Sequence, residues 1–153
     1  MDTTSHAHWM ALALERAREA RRQDEVPVGA LLVLGGEALG EGSNRAVSSH
    51  DPTAHAEIIA LREAARREGN YRLPGSVLYS TIEPCTMCVG AIIHARIDLL
   101  VFGVRNSRRG AVVSARNLLN YDRYNHHPAV LEGVLADECG DLMCGFYRAP
   151  RNR

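Results

Sequence analysis

The chain contains no lysine: all 18 of its basic residues are arginine, balanced by 18 acidic ones for a formal net charge of +0. That balance excludes a protein held to polyanions by net charge alone and leaves the placing of the arginines as the informative feature. Aromatic residues are scarce, at 5% with one Trp and two Phe, so the core must be largely aliphatic. Four cysteines, Cys85, Cys88, Cys139 and Cys144, are too few for a disulfide scaffold in 153 residues, and reduced thiols are expected. No apolar run approaches the ~20 residues of a membrane-spanning helix. The opening stretch MDTTSHAHWMALALERAREARRQ interleaves acid and base along an apolar stripe, where a signal peptide would carry a basic head and an unbroken apolar segment. A soluble, cytoplasmic protein without a membrane partner is the expectation. With 46% hydrophobic residues and no internal repeat, residues 1–153 suit a single domain.

Periodicity orders the chain. Met10, Ala13, Leu14 and Ala17 predict a helix over residues 7–22. VPVGALLVLGGEALGEGSN reads as a hairpin around Gly35-Gly36, its first strand buried on both faces. A helix follows in DPTAHAEIIALREAARREGN, with Asp51 or Thr53 as N-cap, Gly69-Asn70 as its stop, and Ala54, Ile58, Leu61 and Ala65 as its apolar stripe. SVLYSTI is a third strand, TMCVGAIIHAR a helix and DLLVFGV a fourth strand. Residues 105–128 read as a long functional loop with one helical turn. AVLEGVL is a short last strand, and a closing helix carries Leu135, Cys139, Leu142, Met143 and Phe146 on one stripe. Alternating strand and helix from residue 50 onward implies a sheet layered with helices.

EPCTMC, residues 83–88, holds two thiols three residues apart. Such a pair can serve redox exchange, a structural zinc, a catalytic metal, or nothing. His55 and Glu57, in HAE at the start of the second long helix, favour the third reading. One His and two Cys make three zinc ligands, and three protein ligands with an open position mark a catalytic site. Cys85 and Cys88 sit in the first turn of a helix, where the positive dipole end favours thiolate. A water at the open position of such a site ionises near neutral pH. Glu57 is too far around a regular helix from His55 to share the metal, yet at a first turn both can border one cleft, leaving Glu57 to carry a proton. A thioredoxin-like redox pair has no use for either residue. Cys139 and Cys144, five apart and so about 140° apart on a helix, are expected to be core thiols, and the remaining histidines lack ligand spacing. The late arginines, Arg105, Arg108, Arg109, Arg116, Arg123, Arg148, Arg151 and Arg153, suit bidentate contact with phosphate or a plain solvated face.

H-A-E followed by P-C-x-x-C is the established signature of zinc nucleobase deaminases. Beyond it, EVPVGA, GEGSNR, HDPTAHAEI, EPCTMCVGAIIHARI, VFGVR and GVLADEC resemble the bacterial tRNA adenosine deaminases (the TadA family), over nearly the whole chain. The resemblance implies a three-layer α/β/α fold, cytidine deaminase-like, with a mixed sheet of about five strands. It implies one Zn2+ per subunit on His55, Cys85 and Cys88, with Glu57 shuttling the proton during attack on C6 of a flipped adenine. It implies that Asn44 hydrogen-bonds the base, that Val28 and Ala56 wall the pocket, and that the carbonyl of Pro84 receives the departing amine. Phe146, Tyr147 and Arg148, with Arg105 and Asn106, are the positions expected against the anticodon loop of tRNA, and a homodimer is expected.

Three features depart from the family pattern. Asn106, in FGVRNS, stands where relatives usually carry an acid, and a neutral amide there implies tolerance of single-stranded DNA. The tail stops at Arg153, and NLLNYDRYNHH is rich in Tyr and Asn. Two rivals remain: a deaminase of a free base or nucleoside, which would not require the Arg-rich loop, and a non-catalytic zinc protein, which would require a fourth ligand.

Overall fold

The computed structural model describes residues 3–150; Arg151 and Arg153 lie outside the described residues. The elements run α1 (Thr3–Arg22), β1 (Gly29–Leu34), β2 (Glu37–Ser43), α2 (Ala56–Glu68), β3 (Val77–Ile82), α3 (Thr86–Ala95), β4 (Leu99–Val104), β5 (Ala129–Glu132) and α4 (Ala136–Arg148). The strands form one mixed sheet in the order β2-β1-β3-β4-β5, with antiparallel β2, β1 and β3 and parallel β3, β4 and β5. This is the five-stranded mixed sheet expected from the sequence.

Both faces of the sheet are covered, which is why β1, β3 and β4 read as continuous apolar runs. On one face Leu31, Val33, Tyr79 and Val101 pack against Met10, Ala13 and Leu14 of α1 and Cys139 of α4. On the other, Leu32, Leu78, Leu100 and Phe102 pack against Ala56, Ala60 and Ala64 of α2 and Val89 and Ile92 of α3. The result is three layers, α/β/α. The hairpin turn at Gly35-Gly36 has positive φ at both residues (61° and 79°), matching the twist of its flanking strands.

Backbone proximity fixes the height of α2. A Cβ added to Gly42 would lie 2.0 Å from the carbonyl oxygen of Ala56, and one on Gly40 would lie 2.1 Å from that of Ala60. Glycines on β2 facing alanines on α2 therefore let the helix backbone rest directly on the strand.

Several expectations shift in detail. α1 begins at Thr3 rather than residue 7. The N-cap of α2 is His55, not Asp51 or Thr53; Asp51 instead accepts hydrogen bonds from the Thr53 N–H (2.9 Å) and hydroxyl (2.7 Å), closing a turn before the helix. Of the expected stripe, Ala54, Ile58 and Leu61 are buried and Ala65 is half-buried, while Ala56, Ala60 and Ala64 are also buried on α2. The long loop carries its single turn at Leu118–Asn120. Cys139 is a buried core thiol as expected, but Cys144 is exposed. His6, one of the histidines without ligand spacing, is buried with Nδ1 2.9 Å from the Tyr79 hydroxyl. Among the described residues no helix is long and apolar enough to cross a membrane.

Gly42→Ala is expected to destabilise the protein by about 1–3 kcal/mol, the scale of an overpacked contact, because backbone rather than a flexible side chain must move. Chemical denaturation followed by circular dichroism measures it; an unchanged midpoint would show that α2 has room to retreat.

Candidate active site

Ligand sites in open α/β sheets gather outside the carboxyl ends of the strands, and here β3 leads at that end directly into Glu83, Pro84 and α3. The caps of two helices meet there. His55 (φ −75°, ψ 151°) and Cys85 (φ −80°, ψ 176°) are the extended N-cap residues of α2 and α3, and neither uses its side chain to cap its own helix. Both side chains are thereby free to converge, and Cys88 joins them from the first turn of α3.

The distances fit a tetrahedral zinc ion. Bonds of about 2.3 Å to sulfur and 2.0–2.1 Å to nitrogen place tetrahedral S and N ligands roughly 3.5 Å apart. His55 Nδ1 lies 3.5 Å from Cys85 Sγ and 3.6 Å from Cys88 Sγ. Among the described residues this is the single group of three His, Cys, Asp or Glu ligands close enough to hold a metal ion. The hydrogen bond from Cys88 and that from His55 lower the Cys85 thiol to about 4, while its role as that donor, with burial, pushes Cys88 up. The contact with Cys85 likewise raises His55.

Glu57 lies beside this cluster. Its carboxylate is buried, with Oε2 3.6 Å from Cys88 Sγ and Oε1 3.0 Å from the Ser80 hydroxyl. Burial raises its pKa, outweighing the opposing attraction of His55. Because His55 caps α2 and lies outside its regular turns, it and Glu57 both face the same cavity, resolving the spacing problem posed by a regular helix. Ser80, on β3, also sits 2.7 Å from the Ile82 carbonyl. With one proton to give, its hydroxyl can donate to an ionised Glu57, or donate to Ile82 and accept from a protonated Glu57.

The cavity above these groups has a volume of about 600 Å³, with Val28, Asn44, Asn106, Arg108, Arg109 and Tyr147 among its walls. Asn44 accepts the Ala56 N–H on Oδ1 (2.8 Å), capping α2 from outside the helix. Its NH2 group is thus the end not committed to the backbone. Val28 is buried and lines the cavity; Ala56 is fully buried behind it. The carbonyl of Pro84 accepts the Ala111 N–H at 2.9 Å.

Of the outer positions, Tyr147 reaches the cavity and is 58% exposed, whereas Phe146 is buried and meets it edge to face, with ring centroids 5.3 Å apart. Arg148 is exposed at the end of α4 and lies outside the cavity lining. Arg105 also points elsewhere, in a forked ion pair with Glu132 of β5 (2.7 Å at the shortest). The loop brings in Arg108 and Arg109 instead, both exposed on the rim. Their backbone N–H groups donate to Asn106 Oδ1 at 3.3 and 3.2 Å. Sequence reasoning grouped these arginines but did not assign them to the site, and it missed Ser80 and Glu83 altogether.

Known proteins are similar to this chain over most of its length. Residues 3–104 match the family described as the cytidine and deoxycytidylate deaminase zinc-binding region. The chain is 48% identical over 143 residues to a tRNA-specific adenosine deaminase of Haemophilus influenzae, covering 93% of this chain and 83% of that one. It is 38% identical over 145 residues to one of Bacillus subtilis, covering 95% and 90%. A structure solved in a study of A-to-I editing by tRNA:A34 deaminases at the wobble position of transfer RNA superposes with a TM-score of 0.86 at 44% identity, covering 88% of this chain and 98% of that one. A guanine deaminase from Nitrosomonas europaea shares the fold, at 24% identity and a TM-score of 0.76 over 94% of this chain and 85% of that one.

Cys88→Ser and His55→Ala are each expected to lower bound zinc by roughly tenfold or more, as read by atomic absorption on purified protein; full zinc content in either variant would remove that residue from the ligand set.

Proposed function

The chain belongs to the tRNA-specific adenosine deaminases, within the cytidine and deoxycytidylate deaminase zinc-binding family, and from that premise we propose that it hydrolyses adenosine to inosine at the wobble position of tRNA. The observation that carries the reading is the meeting of a His55/Cys85/Cys88 cluster with a buried Glu57 at the base of an arginine-rimmed cavity. A zinc ion on those three ligands, one per subunit, would supply the Lewis acidity that makes water nucleophilic near neutral pH. Glu57 takes a proton from the water that attacks C6 of the adenine and delivers it to the amino group. The water oxygen stays on C6, the C–N bond breaks, and nitrogen leaves as ammonia. A carboxyl whose pKa burial has raised can hold the proton between those two steps, and the Ser80 hydroxyl has a geometry for both of its states.

The other walls sort the substrate. The Asn44 NH2 group donates to the flipped base, with Val28 against one face and Ala56 closing the floor. Pro84 offers the departing amine the second lone pair of its carbonyl. Tyr147, braced by Phe146, gives an unstacked neighbouring base an aromatic surface. Arg108 and Arg109 at the rim, with Arg148 farther out, suit the phosphates of an anticodon loop, whereas Arg105 is committed to Glu132. A free base or nucleoside would need neither the arginines nor the exposed Tyr147, which is the reason for preferring tRNA over that rival.

Three further parts of the reading concern the whole protein. Residues 1–153 act as one deaminase domain in the cytoplasm. A homodimer is supported by an exposed, mostly apolar groove between α2 and α3, lined by Ile58, Leu61, Ala65, Met87, Ala91 and Tyr71. Tolerance of single-stranded DNA is supported by Asn106, half-buried in the cavity wall, where a neutral amide places no charge against a phosphate chain.

Zinc-loaded protein should release inosine from an adenosine-bearing anticodon stem-loop; turnover confined to free adenosine, cytidine or guanine overturns the reading. Glu57→Ala should keep its zinc and lose about 10²–10⁴ in kcat, the range for a general acid–base residue. Asn106→Asp should raise the ratio of RNA to DNA deamination on matched loops, and an unmoved ratio sinks the DNA part alone.

A further inference from the structure

Glu83 is a second buried carboxylate beside the cluster, and the chemistry above gives it no task. It is 1% exposed, yet no arginine or histidine pairs with it among the hydrogen bonds and ion pairs of the described residues. Its partners are the loop that follows β4. Oε2 accepts three successive backbone N–H groups, from Val112 (3.0 Å), Val113 (2.8 Å) and Ser114 (3.0 Å). Oε1 accepts the Asn106 N–H at 3.1 Å and the Ser114 hydroxyl. The segment is stitched on both sides of this contact: Glu83 N–H donates to the Val104 carbonyl (2.9 Å), Ala111 N–H to the Pro84 carbonyl, and Cys85 pairs with Gly110 in an isolated bridge. Gly110 is part of the device, because a Cβ there would lie 2.3 Å from the Glu83 carboxyl carbon.

One carboxylate thus gathers both ends of the stretch from Asn106 to Ser114, and the arginines of the cavity rim lie between those ends. Asn106 in turn holds the turn itself, accepting the Arg108 and Arg109 N–H groups. Long, exposed arginines on a loop lose affinity for phosphate if the loop wanders, since ordering it would then be part of the cost of binding. We infer that Glu83 is a positioning residue for the nucleic acid: held by these backbone N–H groups, it fixes the 106–114 loop so that Arg108 and Arg109 meet the phosphates flanking the target base.

This inference rests on the proposed function, and the experiment separates the two. In Glu83→Gln the side-chain oxygen can keep the three N–H groups of Val112, Val113 and Ser114, which leaves its NH2 facing the Asn106 N–H. The variant therefore loosens the two contacts on Oε1, the Asn106 N–H and the Ser114 hydroxyl, while keeping the three backbone contacts on Oε2. Two readouts apply, both on zinc-loaded protein. Amide hydrogen exchange should quicken at Asn106 through Arg109 and stay slow in β3 and β4. In a Glu57→Ala background, where turnover is slowed about 10²–10⁴-fold, Kd for the fluorescently labelled anticodon stem-loop should rise roughly tenfold, the scale of one lost charge-assisted contact. The slope of log Kd on log salt should flatten by ~1, as expected when about one phosphate contact is lost. Ser114→Ala, which removes only the hydroxyl donor, is the milder second variant and should move both readouts in the same direction.

Weaker binding with an unchanged salt slope, or with zinc lost in parallel, overturns the inference, because Glu83 would then be acting on Cys85 or on the fold. Unchanged Kd and slope in both variants overturn it as well. A parent protein that does not bind the stem-loop overturns the functional reading, and this inference with it.

Discussion

Everything at the site depends on two helix N-termini arriving side by side at one end of the sheet. α2 is set by the contact of its alanines with Gly40 and Gly42 of β2, and α3 by the turn that follows β3. Because each helix is capped by a residue that does not spend its side chain on capping, His55 and Cys85 are available to one another across the junction. Positive dipole ends at both helices favour the thiolate form that a metal needs. The α2 N-terminus still receives a cap, but from outside, through Asn44. A residue that stabilises the helix is in this way also held at the wall of the pocket.

Glu57 and Glu83 show how environment divides labour between like groups. Both are buried carboxylates two residues in sequence from a member of the cluster, Glu57 after His55 and Glu83 before Cys85, and both line the cavity. For Glu57 burial outweighs its own backbone N–H, the attraction of His55 and the Ser80 hydroxyl, and its pKa rises. Burial presses on Glu83 too, but the hydrogen bonds from Ser114, Val113 and Asn106 outweigh it and hold the group below its ordinary value. Pairs of titratable groups pushed apart by their surroundings mark acid–base sites. Here one member of the pair can exchange a proton while the other stays a fixed negative anchor for backbone N–H groups.

Much of this was legible in the sequence, and the rest was hidden for identifiable reasons. The hairpin, the layered sheet, and the pairing of HAE with PCTMC were readable because each has a local signature in spacing or turn residues. Cys139 and Cys144 were both expected in the core, although a separation of about 140° on a helix cannot place two side chains on one buried stripe; the geometry admits Cys139 and exposes Cys144. His55 escaped notice as a cap because Asp51 and Thr53 have better capping chemistry, which they use on each other. Glu83 left no trace because its partners are main-chain N–H groups, which every sequence possesses. Arg105 looked like the rim residue by position, but Glu132, distant in the chain and adjacent in the sheet, holds it away.

The hairpin has a consequence of its own. β1 runs antiparallel to β3, with Ala30 opposite Ser80 and Val33 opposite Val77, so the Gly35-Gly36 tip lies at the end of the sheet opposite the cavity. α2 also finishes at that far end, at exposed Gly69 and Asn70. The molecule is therefore polarised along its strands, with chemistry at one pole and exposed connections at the other. A peptide grafted at residue 35 or 69 would lengthen the chain at the pole where nothing reacts, which makes these two turns natural points for joining this protein to another.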